Sequence, residues 1–297
     1  MLFVYYKPIN FFYRTVLKPF SSLLPRKLKI PVYGSYNIKL DEQTTIKFAT
    51  NPTSHLGKLL YWDGVTGFEY AEVRIFIDLA KTSNVVFDIG ANTGYYSMVA
   101  AALNKNSKVY GFEPMPDANY YYHLNKELNN FANITIEDYA LSNVSADLEF
   151  ASVFNPKFKE IKYQLAGDGS LDLRDKDSGR VKIIHVKSIT LDAYVERKNI
   201  KSIDLIKIDT EASEHLVFGG SNNVLKKFRP IIQCEVLHNR IENELEAIFY
   251  VNNYSYFRVT PKGLVREQTL KSTSEDKADY YFVPTEKTDL VKKFIII

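Results

Sequence analysis

Cysteine is nearly missing from this chain. Cys234 is the only one in 297 residues, which excludes an intramolecular disulfide and any cysteine-rich zinc site. It sits in the apolar run Pro230 to Leu237, where it reads as a small buried hydrophobe rather than a nucleophile. A reducing, cytoplasmic setting is the expectation. Long apolar runs are missing too: no segment approaches the ~20 uninterrupted residues that a spanning helix needs. The N-terminus lacks the basic-then-apolar order of a signal peptide, and no repeat or low-complexity tract breaks the chain. Acid is missing from one end only. Residues 1–40 carry seven basic residues (Lys7, Arg14, Lys18, Arg26, Lys27, Lys29, Lys39) and no Asp or Glu. With Lys+Arg 38 and Asp+Glu 35 overall, the remainder holds 31 basic against 35 acidic residues, or −4. The net charge of +3 gives no case for a nucleic-acid partner, and the positive charge is gathered at one end.

A chain of this length, 45% hydrophobic and 25% charged, is ordinary globular material and suffices for one large α/β domain with additions. Residues 1–30 interleave Phe3, Tyr6, Phe11, Phe12, Tyr13, Leu17, Phe20, Leu23 and Leu24 with the basic residues. Two readings stay open: peripheral contact with a membrane surface, or packing on the domain or on a second copy in a homodimer, with Pro8, Pro19 and Pro25 cutting the segment into short pieces. Alternating runs from Val32 to Thr50 read as a β-hairpin. The expected division is therefore 1–50, a basic and aromatic segment plus hairpin, and 51–297, the main domain.

That domain is organised around Val85 to Gly94, VVFDIGANTG. Val85, Val86, Phe87 and Ile89 read as a buried parallel strand. Gly90 and Gly94 allow a tight turn and close backbone approach to a ligand, and Tyr95 to Leu103 reads as the helix that follows. The missing third glycine disfavours a dinucleotide. Asp88 at the strand end suits instead a ligand bearing an amino or sulfonium group. The next apolar strand ends at Glu113, 25 residues later (113 − 88), where an acid is placed to accept both hydroxyls of a ribose.

DIGANTGYYSMVAA, VYGFEPMPDANYYYHLNKELNN, YALSN, LDAYV, LIKIDTEASE and RPIIQCEV, in that order, resemble the FkbM-type family of S-adenosylmethionine-dependent methyltransferases over Trp62 to Glu235. The resemblance implies a Rossmann-like class I methyltransferase fold in the α/β class: a mostly parallel seven-stranded sheet with an antiparallel edge strand and helices on both faces. It implies S-adenosylmethionine held by Asp88, Gly90, Asn92, Gly94, Glu113, Pro114, Asp138 and Ala140. The helix upstream of the central strand would lie over that cofactor, with Tyr61 and Glu69 as lid residues. One departure stands out: Ala212 occupies a position that is usually glycine in the family.

Transfer of a methyl group to a hydroxyl needs in-line positioning and a base. The strand Ser202 to Ile208 delivers Asp209, Glu211 and Glu214 to the carboxyl edge of the sheet, where ligands of such folds bind, and the next strand delivers Glu235 and His238. These five are the catalytic candidates, with His215 beside them. Asp209, Glu211, Glu235 and His238 also offer the hard ligands that a divalent metal takes, though no spacing fixes a coordination sphere. Lys207 either orients an anionic substrate or reaches solvent. The expected substrate is a small molecule, glycan or lipid-linked sugar accepting the methyl group on oxygen. Two rival readings are an NAD(P)-dependent sugar oxidoreductase or epimerase, and a non-catalytic membrane-associated module that keeps the fold.

Overall fold

The computed structural model describes residues 6–67, 70–165, 169–173, 180–271 and 277–296. The chain opens with α1 (Lys7–Leu17), the hairpin strands β1 (Gly34–Lys39) and β2 (Thr45–Thr50), then α2 (His55–Asp63) and α3 (Tyr70–Ala80). The helix expected upstream of the central strand is two, because the turn Gly64–Gly67 separates α2 from α3. Next come β3 (Val85–Ile89), α4 (Tyr95–Leu103), β4 (Lys108–Phe112), α5 (Pro116–Leu128), β5 (Ile134–Glu137) and β6 (Ala140–Leu141). The strands β7 (Asp147–Val153) and β8 (Val181–Ile189) form an inserted hairpin. Then follow α6 (Leu191–Arg197), β9 (Leu205–Ile208), α7 (Glu214–Gly219), α8 (Asn222–Lys227), β10 (Ile231–Leu237), α9 (Glu242–Val251), β11 (Tyr254–Thr260), β12 (Gly263–Glu267) and β13 (Lys277–Pro284).

One eight-stranded sheet carries the domain, in the order β12-β11-β13-β10-β9-β3-β4-β5. From β5 to β10 every pairing is parallel. The edge strand β12 is antiparallel to its neighbour β11, as expected, and a second reversed strand, β13, lies inside the sheet. It is inserted between β10 and β11, antiparallel to both, and β12 adds a hairpin to β11 as the eighth strand. The reason is local: β11 and β12 are joined by a two-residue turn at Pro261 and Lys262, so they must pair, and β13 takes the vacant side.

Alternation along the strands sorts side chains onto two apolar layers. Val86, Leu205, Ile231 and Tyr281 join α3 and α4 in one layer. Phe87, Ile206, Ile232 and Phe282 join the layer covered by α6 to α9. The same parity places Asp88, Lys207, Gln233 and Glu235 on the α3/α4 face. The hairpin β1–β2 has no separate core: Ile38, Ile46 and Phe48 belong to the α3/α4 layer. Its backbone is also tied to α5, where Asn125 Oδ1 accepts from the Ala49 amide at 2.6 Å. At the far end, Phe294 is buried and the Ile296 amide donates to Leu264 at 2.8 Å, so the terminal apolar run packs along β12.

Candidate active site

The parallel strands end along one edge of the sheet, and the segments leaving them wall a cavity of about 100 Å³ that is open to solvent. Gly90 and Asn92 follow β3; Glu113, Pro114 and Met115 follow β4; Tyr139, Ala140 and Leu141 follow β5; Asp209, Thr210, Glu211 and Ser213 follow β9. Phe112, Phe150 and Leu171 give it apolar wall.

The glycine turn is shaped by its neighbours rather than by a ligand. Gly90 has φ +72°, and a Cβ there would lie 1.9 Å from the Asp209 carbonyl oxygen, so only glycine allows β3 and β9 to approach this closely. At Gly94 a Cβ would meet the Tyr122 ring at 2.1 Å, which puts this glycine against α5 rather than in the cavity wall. The turn's amides are largely spent inside the protein. Gly90 and Ala91 both donate to the Phe112 carbonyl at 3.0 Å, Asn92 donates to Glu113 Oε2 at 2.7 Å, and Gly94 donates to the Ala91 carbonyl at 2.8 Å. A pyrophosphate needs such amides unspent, so this cradle is poorly equipped for a dinucleotide.

Asp88 lies behind the cavity. Strand alternation turns it toward α4, where it accepts from the Ser97 amide at 2.8 Å and the Ser97 hydroxyl at 2.6 Å, satisfying a first-turn donor of that helix. Burial raises its pKa to about 6 against the pull of those bonds. Glu113 does face the cavity. Its oxygens accept from the Asn92 and Met115 amides, at 2.7 and 2.8 Å, and burial, reinforced by Asp88, pushes it up to about 7. Of the residues expected at the cofactor, Gly90, Asn92, Glu113, Pro114 and Ala140 line the cavity. Asp88 and Gly94 stand behind it, and Asp138 is exposed, because the chain leaving β5 alternates and turns Tyr139 and Ala140 inward instead.

The acids after β9 and β10 converge. Carboxylate oxygens of Asp209, Glu211 and Glu235 all lie within 4.8 Å of one another. Two lysines offset this charge. Buried Lys207 brings Nζ to 3.4 Å from Asp209 Oδ2 and sits over the Tyr96 ring at 5.2 Å, so it does not reach solvent. Lys277 pairs with Glu235 at 2.5 Å. Burial, with Asp209 beside it, raises the Glu235 pKa despite that pairing. Asp209 Oδ1 is buried with no hydrogen-bond partner.

Glu214 is enclosed rather than in the cavity wall. Its Oε1 accepts from the Thr210 amide at 2.7 Å and from Thr210 Oγ1 at 3.0 Å, which fixes the turn carrying Asp209 and Glu211, and burial raises it to about 7. His238 is also buried, with Nε2 unpartnered and its ring edge-on to Tyr280 at 6.2 Å; it falls outside the three-carboxylate group. Glu211 and Ala212 hold consecutive left-handed conformations, φ +52° and +71°. Ala212 thus occupies the geometry that favours the family's glycine.

Sequence reasoning missed Ser170. Its hydroxyl reaches the Thr210 and Glu211 carbonyls at 3.1 and 2.6 Å and Ser213 Oγ at 3.1 Å, tying the inserted hairpin to the acidic turn. Phe150 and Tyr139 were missed as well, since nothing in an isolated aromatic says which cavity it will wall. Tyr61 is no lid: it is buried beside Trp62 and donates to the Arg14 carbonyl at 3.0 Å. Glu69, and most of the polar cluster 173–180, lie outside the described residues.

Strand order, the reversed strand β13 beside β10 and a cavity across the strand ends define a Rossmann-like domain of the class I methyltransferase type. The methyltransferase FkbM domain model matches residues 88–258, and the chain belongs to that family of methyltransferases. It is similar to the hexuronic acid methyltransferase AglP of Haloferax volcanii, 24% identical over 161 residues that make up 54% of this chain and 59% of that protein. The chain thus spans little more than half of that relative. Among solved structures it is similar to methyltransferase FkbM from Methylobacillus flagellatus (13% identity, 67% of this chain and 43% of that one, TM-score 0.43). It is also similar to TYW2 of M. jannaschii in complex with AdoMet (15% identity, 85% and 87%, TM-score 0.40).

Proposed function

We propose that this chain is an S-adenosylmethionine-dependent O-methyltransferase whose acceptor is a hydroxyl on a glycan, a lipid-linked sugar or a similar natural product. The observation that carries the reading is one cavity with Glu113 on one wall and Asp209 and Glu211 on another. The residues fit the cofactor: Glu113 offers carboxylate oxygens to a ribose, Phe112, Leu141 and Phe150 offer apolar wall to an adenine, and the spent turn amides leave little for a pyrophosphate. When bound, S-adenosylmethionine supplies an electrophilic methyl carbon on sulfur. The chain's task is then to hold the acceptor oxygen in line and to take its proton. Asp209 Oδ1 is the proton acceptor, with Lys207 holding Oδ2 and Glu214 and Ser170 fixing the turn. Glu211 and the Glu235–Lys277 pair form the wall that orients the acceptor.

The test is transfer of a labelled methyl group to uronate-containing glycans first, prompted by the relative's acceptor, and then to neutral and lipid-linked sugars. General-base help is worth about 10²–10⁴ in rate, so Asp209→Asn should lower kcat at least about a hundredfold while the cofactor still binds. Parental turnover in both Asp209→Asn and Glu211→Gln would place the base elsewhere. Loss of turnover on chelation would recast the three carboxylates as metal ligands. Binding of NAD but not of S-adenosylhomocysteine would favour the oxidoreductase reading.

A further inference from the structure

The N-terminal helix is built inside out. An amphipathic helix normally turns its apolar stripe to the core, yet α1 buries Asn10 and Arg14, 0% and 4% exposed, and sends its rings to solvent. The inner face is held by polar bonds. Asn10 donates to the Pro31 carbonyl at 2.9 Å and accepts from the Tyr33 amide at 3.1 Å. The Arg14 guanidinium lies 5.0 Å from the Tyr61 ring centre, and Lys18 donates to the Trp62 carbonyl at 3.1 Å. With the cations and amide used to dock the helix, α1 turns Ile9, Phe12 and Val16 outward, and Phe20 and Leu23, in the short turns that follow it, are exposed as well. Phe12 is 70% exposed and Leu23 80%. Soluble monomers rarely leave such a contiguous patch uncovered unless something binds it.

We propose that this face lies in the plane of an anionic lipid bilayer. Exposed Arg26 and Lys27 follow the apolar positions in the chain, and the first forty residues contain no acid to answer them. A second copy docked on the same face about a two-fold axis would set those cations against their own images. An anionic headgroup layer meets the cations while the rings enter the boundary below it. Among the described residues no helix is long and apolar enough to cross a membrane, so the contact is peripheral and parallel to the surface. The inference rests on residues 7–27 and stands whatever reaction the cavity performs.

The experiment is co-sedimentation of the full chain with vesicles of phosphatidylcholine alone or mixed with phosphatidylglycerol. Binding to the anionic vesicles should exceed binding to the neutral ones by at least about tenfold and weaken with salt. Phe12→Glu combined with Leu23→Glu should weaken it about tenfold or more. Both side chains are exposed, so the thermal melt should not move. Arg26→Ala with Lys27→Ala, which leaves the apolar stripe intact, should reduce binding to anionic vesicles only. Absent vesicle binding, or binding undiminished in both double variants, overturns the proposal. A parent dimer that dissociates in the Phe12→Glu, Leu23→Glu variant without any vesicle binding also overturns it, and assigns the face to a second copy.

Discussion

Cofactor affinity should rise with pH through the neutral range, and Glu113 is the reason. Its carboxyl is buried, and the two backbone amides it accepts from do not offset the desolvation, so it titrates near 7 in the ligand-free protein. Ribose hydroxyls donate hydrogen bonds to a carboxylate and favour the ionised form. Below its pKa the group must therefore lose a proton before it can accept both. With a value about 7, only about one-tenth is ionised at pH 6, which weakens binding about tenfold relative to pH 8, or about 1.4 kcal/mol. Calorimetry in two buffers of different ionisation enthalpy reads the same event as nearly one proton released per cofactor at pH 6. The cofactor's own amino group titrates nearby, so the control is Glu113→Gln, in which the Glu113-linked share of the release and of the pH slope should vanish. Affinity at pH 8 should fall with it by about 1.5–3 kcal/mol, the scale of hydrogen bonds to a charged group. A parent and variant with the same slope and the same affinity would refute the ribose assignment.

Glu214→Gln should be more stable than the parent at pH 8 by on the order of 2–3 kcal/mol and equal to it near pH 4, measured by urea unfolding. The sign follows from a carboxyl raised from 4.5 to about 7 in the fold: the folded state binds the extra proton, so the contribution is present below the unfolded value and is lost as pH rises through the folded one. A variant equal to the parent near pH 4 but less stable at pH 8 would mean that the Thr210 turn needs the charge itself. Ala212→Gly should be near neutral, because relief of the left-handed conformation, about 1–2 kcal/mol, is offset by a lost buried methyl and by glycine's backbone freedom, together about 1–2 kcal/mol. Ala212→Val, β-branched in a buried left-handed position, should lose more than about 2 kcal/mol, and a melt at the parental temperature would contradict the strain argument.

The fold was legible because its strands are buried on both faces. Val85–Ile89, Lys108–Phe112, Ile134–Glu137, Leu205–Ile208 and Ile231–Leu237 are short runs rich in apolar residues, each followed by glycine or a polar residue (Gly90, Glu113, Asp138, Asp209, His238) that marks the carboxyl edge of the sheet. The place of β13 was not legible, since strand periodicity states that a segment pairs but not with which neighbour.

The misplaced residue in the site is instructive for the same reason. Asp88 was assigned to the cofactor by its position in the chain, but a strand has two faces, and parity with Val86 sends Asp88 to α4 rather than outward. Parity would have predicted it: Val86, Asp88, Leu205, Lys207, Gln233 and Glu235 share one face of the sheet, and α4 covers that face with Tyr96 and Ser97. Glu113 and Asp209 escape this constraint because they lie one residue beyond their strands, where alternation has ended and the backbone is free to turn a side chain over the sheet's edge. The same reasoning separates Asp209 from its neighbours. Glu214 is drawn inward by the first turn of α7 and Glu235 is held within β10; Asp209 Oδ1 and Glu214 Oε2 are both buried without a partner, and of these two residues only Asp209 lines the cavity. A group left in that state costs the fold stability, and in the proposed reaction the bound hydroxyl is the donor by which the Asp209 oxygen gains its partner.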